Sequence, residues 1–190
     1  MTRSANKLPA RGSATGRLCF CGVMIALAAI FSYIEGLFPI SLGAPGIKLG
    51  LANIVVLFAL YAYGAKAGAA VSLLRIALVA ALFGNMMAAV YSLAGAAVSL
   101  AVMLLLKNTG RFSLAGVSMA GGVSHPAAQM AVAMLITRTP SLLAYLPVLI
   151  LGGMLAGLLM GLLAYQVLQR VAPAWTGRRG VYEQENEDLR

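Results

Sequence analysis

The sequence predicts an all-α integral membrane protein, a bundle of six transmembrane helices with both termini in the cytoplasm, and three observations predict it. First, 61% of the 190 residues are hydrophobic and 10% are charged, with a mean hydropathy of +0.90. A soluble domain carries about 25% charge and about 45–50% apolar residues. Second, apolar runs of about 20 residues recur, the length an α-helix needs to cross about 30 Å of hydrocarbon, without the short alternation of an outer-membrane barrel. Third, the basic residues flank these runs. A net charge of +9 would point a soluble chain toward nucleic acid, but charges placed at the ends of apolar runs report orientation instead, so no nucleic-acid partner is expected.

Residues 1–17 form a basic, Ser/Ala/Gly-rich cytoplasmic tail that lacks the material for a core. The first helix follows at about Leu18 to Phe38. Four basic residues precede it, as in a signal peptide, yet no small-x-small cleavage site with a soluble domain beyond it appears, so it is read as a mature helix. The second helix, about Leu49 to Tyr63, is separated from the third, about Ala65 to Phe83, by Gly64 and Lys66 alone. The fourth runs from about Met86 to Leu106 and the fifth from about Leu114 to Ile136. The sixth, about Leu142 to Val171, completes a transmembrane domain over residues 18–171, and residues 172–190 form a cytoplasmic tail holding four of the five acidic residues. Six spans with the N-terminus inside put eleven Lys and Arg residues on the inner side and two, Lys48 and Arg138, on the outer side. That asymmetry satisfies the positive-inside rule and predicts a multi-pass protein of the inner (cytoplasmic) membrane.

Gly153, Gly157 and Gly161 form a repeated small-xxx-small face on the sixth helix, where another backbone can approach closely. Its partner is either a helix of this bundle or another subunit. Gly22 and Ala26 make a weaker version on the first helix. Cys19 and Cys21 point about 200° apart on a helix and share neither a disulfide nor a metal.

Glu35 is the only carboxylate in the first 182 residues, and it ends an apolar run. A charge at membrane depth persists where it is paired, hydrated or used. Arg75 lies eight residues before Phe83, about 12 Å along a helix, and a guanidinium there faces protein or water. It is either a structural strut, paired with Glu35 or with backbone carbonyls, or an anchor for an anionic substrate gripped bidentately. Lys48 follows the Pro45-Gly46 turn near a helix N-terminus, with Asn53 in the first turn. This is an anion-attracting arrangement, or else an anchor that snorkels to headgroups of the membrane lipid. On the fifth helix, the stretch from Gly121 to Gln129 breaks the apolar pattern. Pro126 frees a backbone carbonyl, and His125 and Gln129 share a face at i, i+4, which membranes tolerate where a helix lines a cavity or packs on protein. Asn85, Arg138 and Tyr145 are candidates for the outer mouth of the same site.

No Gly-rich nucleotide loop, paired carboxylates, Asp-rich diphosphate motif or nucleophile constellation is present, and one histidine is too few for a metal cluster. No catalytic residue, metal or cofactor is therefore expected, and the chain is not expected to be an enzyme.

The chain resembles the membrane family called heptaprenyl diphosphate synthase component I, or Gx transporter. The resemblance rests on Glu35 with Pro39, Pro45-Gly-Ile-Lys-Leu-Gly-Leu-Ala-Asn53, Arg75, Ser92-Leu-Ala-Gly95, the His125 to Gln129 segment and Tyr145-Leu-Pro147. It covers about residues 18 to 170, with Pro126 a departure from the family pattern. That family is similar to the S components of energy-coupling factor transporters, six-helix proteins that capture vitamins or related solutes. The resemblance implies a substrate-binding subunit for uptake of a small anionic or amphipathic, vitamin- or isoprenoid-related solute. It also implies, as partner, an energy-coupling transmembrane protein with ATPase subunits that docks on small-residue faces. The alternatives are a noncatalytic membrane partner of a prenyl diphosphate or quinone pathway enzyme, or of a flavin/quinone redox system.

Overall fold

A computed structural model of the chain describes residues 14–37, 49–83 and 86–176. All the regular structure among them is helical: α1 (Ala14–Leu37), α2 (Leu51–Ala62), α3 (Ala65–Phe83), α4 (Met86–Thr109), α5 (Leu114–Thr137), a 3-10 turn η1 (Pro140–Tyr145) and α6 (Leu146–Thr176). The expected count of six helices holds. One shift is at the last connection. Pro140, which lacks a backbone N–H and fixes φ, opens a 3-10 segment there, so α6 begins at Leu146 rather than near Leu142.

Four stretches are long and apolar enough to cross a membrane: Leu18–Leu37, Ala65–Phe83, Met86–Thr109 and Pro140–Arg170. The other two helices differ for separate reasons. α2 has 12 residues, about 18 Å of helix, and Ala52 and every residue from Val55 to Leu60 are buried. Its surroundings are protein on nearly all sides. α5 has the length, with 24 residues, but the Gly-Ser-His-Pro-Gln stretch dilutes its apolar character.

The helices form two triplets. α1, α2 and α3 pack on one another; α5 packs more closely still against α6 on one side and α4 on the other; α2 against α6 and α3 against α4 join the two sets. In the first triplet large side chains fill the contacts. Phe20 stacks on Tyr63 with centroids 3.9 Å apart and meets Phe58 at 6.0 Å, and Leu57, Leu60 and Val71 are fully buried.

In the second triplet backbones touch. A Cβ placed on Gly157 would lie 2.7 Å from the Ser118 carbonyl oxygen, and one on Gly161 would lie 2.9 Å from Ala115 Cα. Gly122 and Gly153 oppose each other, each directing at the other's carbonyl oxygen the hydrogen that stands where a Cβ would be. Gly122 is also the residue whose carbonyl Pro126 releases from the helical ladder, four positions on. The freed oxygen thus faces a Cα–H donor across the interface, a contact worth about 0.5–1 kcal/mol. The glycine face of α6 is therefore filled from within the bundle by Ala115, Ser118 and Gly122 of α5. Gly22 is the opposite case: it lies on the exposed side of α1, and nothing stands within 4 Å of a Cβ built there.

Candidate functional site

The seam between the triplets holds a cavity of about 250 Å³ to which every α-helix contributes, among others Ser32 (α1), Asn53 (α2), Arg75 (α3), Ser99 (α4), His125 (α5) and Gly157 (α6). Its residues come from the C-terminal parts of α1, α3 and α5 and the N-terminal parts of α2, α4 and α6, so its mouth belongs to the face where those ends meet. Met103 and Met160 line the far end.

Glu35 stands near the mouth, and its hydrogen-bond partner among the described residues is a backbone group. Its Oε1 accepts the N–H of Gly50 at 2.5 Å. Gly50 is the N-cap of α2, in the left-handed region at φ 74°, with no side-chain cap bond. A helix N-terminus presents unpaired N–H groups and partial positive charge, and Glu35 supplies both the acceptor and the charge from a neighbouring helix. The anion that this N-terminus attracts is thus part of the chain itself.

Arg75 is held by Ser32, one turn before Glu35 on α1. Its Nη1 donates to Ser32 Oγ at 2.9 Å, and that hydroxyl in turn donates to the Ala28 carbonyl at 2.9 Å. Both roles of the serine are filled, which fixes the guanidinium. Its Nε is buried without a partner, so Nη1 is the one guanidinium nitrogen with a protein hydrogen bond among the described residues. Glu35 and Arg75 share the cavity while holding different partners.

A neutral polar wall faces them from the second triplet. Gln129 Nε2 lies 3.1 Å from His125 Nε2, and His125 Nδ1 lies 3.5 Å from Ser99 Oγ. Ser99 donates its hydroxyl to the Ala96 carbonyl at 3.3 Å. The donors and acceptors close if Gln129 donates to Nε2 and the imidazole carries its proton on Nδ1, an assignment made from the network and not from observed hydrogens. Gly95 makes room for this wall: a Cβ there would come within 2.9 Å of both His125 and Gln129. Gly121 does the same for Met103, whose sulfur would lie 2.7 Å from an added Cβ.

Of the residues expected from sequence to bind a solute, Glu35, Asn53, Arg75, His125 and Gln129 line the cavity. Arg138 and Tyr145 do not. Arg138 is the exposed, left-handed C-cap of α5 at φ 52°, and η1 carries Tyr145 away from the lining. Lys48 and Asn85 lie outside the described residues. Sequence reasoning missed Ser32, Ser99 and Gly95. Ser32 had a signal, its i−3 spacing from Glu35; a lone serine in an apolar run such as Ser99 had none.

The family model described as heptaprenyl diphosphate synthase component I matches residues 24–167. The chain belongs to the heptaprenyl diphosphate synthase component I family. The matched span includes every residue that lines the cavity and stops short of both terminal tails. The family description names one component of a synthase, and so implies a partner enzyme component in the prenyl diphosphate pathway. Together with the four helices able to cross a membrane, it marks a membrane protein related to that system. No curated protein and no solved structure matches the chain.

Proposed function

We propose that this chain is a noncatalytic, membrane-embedded substrate-binding subunit, similar in role to the S component of an energy-coupling factor transporter, which captures a small anionic or amphipathic solute for uptake. The observation that carries this reading is Arg75: a guanidinium lining an apolar-walled cavity, positioned by Ser32 and left with unclaimed N–H groups. Pockets of small-molecule binders have this character, mostly apolar walls with a few fixed polar groups, and a guanidinium matches carboxylate or phosphate geometry. In this reading the chain sits in the inner membrane with both termini cytoplasmic and the mouth facing outward. Residues that line no catalytic constellation hold the solute, and an energy-coupling protein with ATPase subunits moves it.

Native mass spectrometry of the purified protein tests this. A small molecule is retained by the wild type and absent from Arg75→Ala, while the variant keeps the wild-type elution profile and helicity. Undiminished retention by Arg75→Ala sinks the site. The family description favours a second reading, a noncatalytic membrane partner of a prenyl diphosphate synthase. Co-purification with a soluble prenyl synthase and an empty cavity would select it.

A further inference from the structure

Resting on the reading of the cavity as a solute site, we infer that its ligand is a compact monoanion with a second, neutral polar end, and that a polyprenyl diphosphate is not its cargo.

Size comes first. A cavity of about 150 Å³ holds one benzene, so a cavity of about 250 Å³ holds a molecule of roughly ten non-hydrogen atoms by the same proportion. A diphosphate group alone would occupy most of that space. Seven isoprene units would have to leave the protein altogether, and the walls nearest the floor are close contacts: Gly121 against Met103, and the backbones of α5 and α6 against each other.

Charge decides the same way. Among the described lining residues Arg75 is the only cation, and Glu35 lines the same cavity at its mouth. Among those residues a diphosphate would find one guanidinium, beside a carboxylate, for two or more negative charges, leaving charge unpaired at a depth where that is expensive. A single carboxylate matches the single guanidinium.

The polar groups set the second end. Arg75 stands on α3, and the Ser99–His125–Gln129 wall belongs to α4 and α5 in the other triplet. With Gln129 donating to His125, its amide oxygen and second N–H stay available on the cavity side, and Asn53 adds another amide. A hydroxyl, amide or ring nitrogen opposite the carboxylate would find partners there. A hydrocarbon tail would leave those groups buried and unpaired, which costs about 1–3 kcal/mol for each.

Thermal unfolding of the full-length protein in detergent tests this with four probes: 4-hydroxybenzoate, which has a carboxylate and a hydroxyl at opposite ends, benzoate, inorganic pyrophosphate and farnesyl diphosphate. We expect millimolar 4-hydroxybenzoate to raise the midpoint of the wild type and benzoate to raise it less. Arg75→Ala should weaken both effects ten- to a hundredfold in apparent affinity, the range of a charge-assisted hydrogen bond. Gln129→Leu should erase the difference between the two monoanions while leaving the benzoate response. A midpoint raised by farnesyl diphosphate in an Arg75-dependent way, with no response to either monoanion, overturns the assignment of ligand class but keeps the cavity as a binding site. Responses that are the same in the wild type and Arg75→Ala, or no response to any probe, overturn the inference, and in the former case the site reading falls with it.

Discussion

The two helix triplets are built by opposite means. In α1–α3 bulky side chains fill the contacts, with Phe20 wedged against Phe58 and Tyr63 and with α2 sheathed on nearly all sides. In α4–α6 the contacts are made by removing side chains, so that Gly122, Gly153, Gly157 and Gly161 let two backbones meet. The charges divide along the same line. Glu35 and Arg75 belong to the side-chain-packed triplet, and the neutral Ser99–His125–Gln129 network belongs to the backbone-packed one. The comparison teaches that a lipid-embedded bundle gains contact either by adding atoms or by subtracting them, and that the cavity lies where the two strategies meet.

Substitutions break this contrast to graded degrees. Gly153→Leu should have the largest effect, because the new side chain would enter the Gly122 carbonyl and neither backbone can yield. Overpacking of this kind costs about 3 kcal/mol or more, and loss of the monodisperse species in size-exclusion chromatography is the expected outcome. Leu57→Ala, at a fully buried position of α2, should cost about 2–5 kcal/mol through the cavity it leaves, visible as a lowered unfolding midpoint with the oligomeric profile unchanged. Loss of the monodisperse species in Leu57→Ala as well would erase the distinction between the triplets.

Gly95→Ala pushes on side chains rather than backbone, since His125 and Gln129 are what the new methyl meets. The fold should survive, and solute affinity should fall about tenfold, equal to about 1.4 kcal/mol, in a binding titration. Glu35→Gln keeps an acceptor for the Gly50 N–H and loses only its charge, so about 1 kcal/mol of stability should go. An unchanged midpoint would show that the α2 N-terminus has no need of a charged partner. Gly22→Leu sits on open surface and should change stability by less than about 0.5 kcal/mol. A large loss there would reveal a contact of α1 outside the bundle.

Much of the fold was legible because helix ends in this chain are marked by residues with few conformational options. Gly64, Gly110 and Pro140 fall at three of the breaks, and two of them adopt positive φ. The polar stretch of α5 was legible as a cavity wall, since Pro126 and the i, i+4 pair His125 and Gln129 have no reason to face lipid. What each polar group touches was not legible. Among the described residues Glu35 holds a backbone N–H of another helix, and nothing in a side-chain pattern announces a main-chain partner. Arg138 and Tyr145 sat at plausible sequence distances from the mouth, but the left-handed residue ending α5 and the 3-10 turn after it steer the chain away from the lining. The glycine stripe announced close approach without naming its partner, because any small-residue face on another helix would have satisfied it.

One contact spans both triplets at the end remote from the mouth. Lys107, in the last turn of α4, donates from Nζ to the carbonyl of Leu60 at 2.6 Å and lies 4.4 Å above the Tyr61 ring. It satisfies a carbonyl near the end of α2 and places a cation where the helix dipole favours one. Mechanically, it works as the spring of a clothes peg. With α4 pinned to α2 at the closed end, a tilt of a few degrees between the triplets leaves the floor at Met103 nearly still. The side of the mouth that would move in such a tilt is the Glu35 and Arg75 side as a whole, relative to the Ser99–His125–Gln129 wall that faces it.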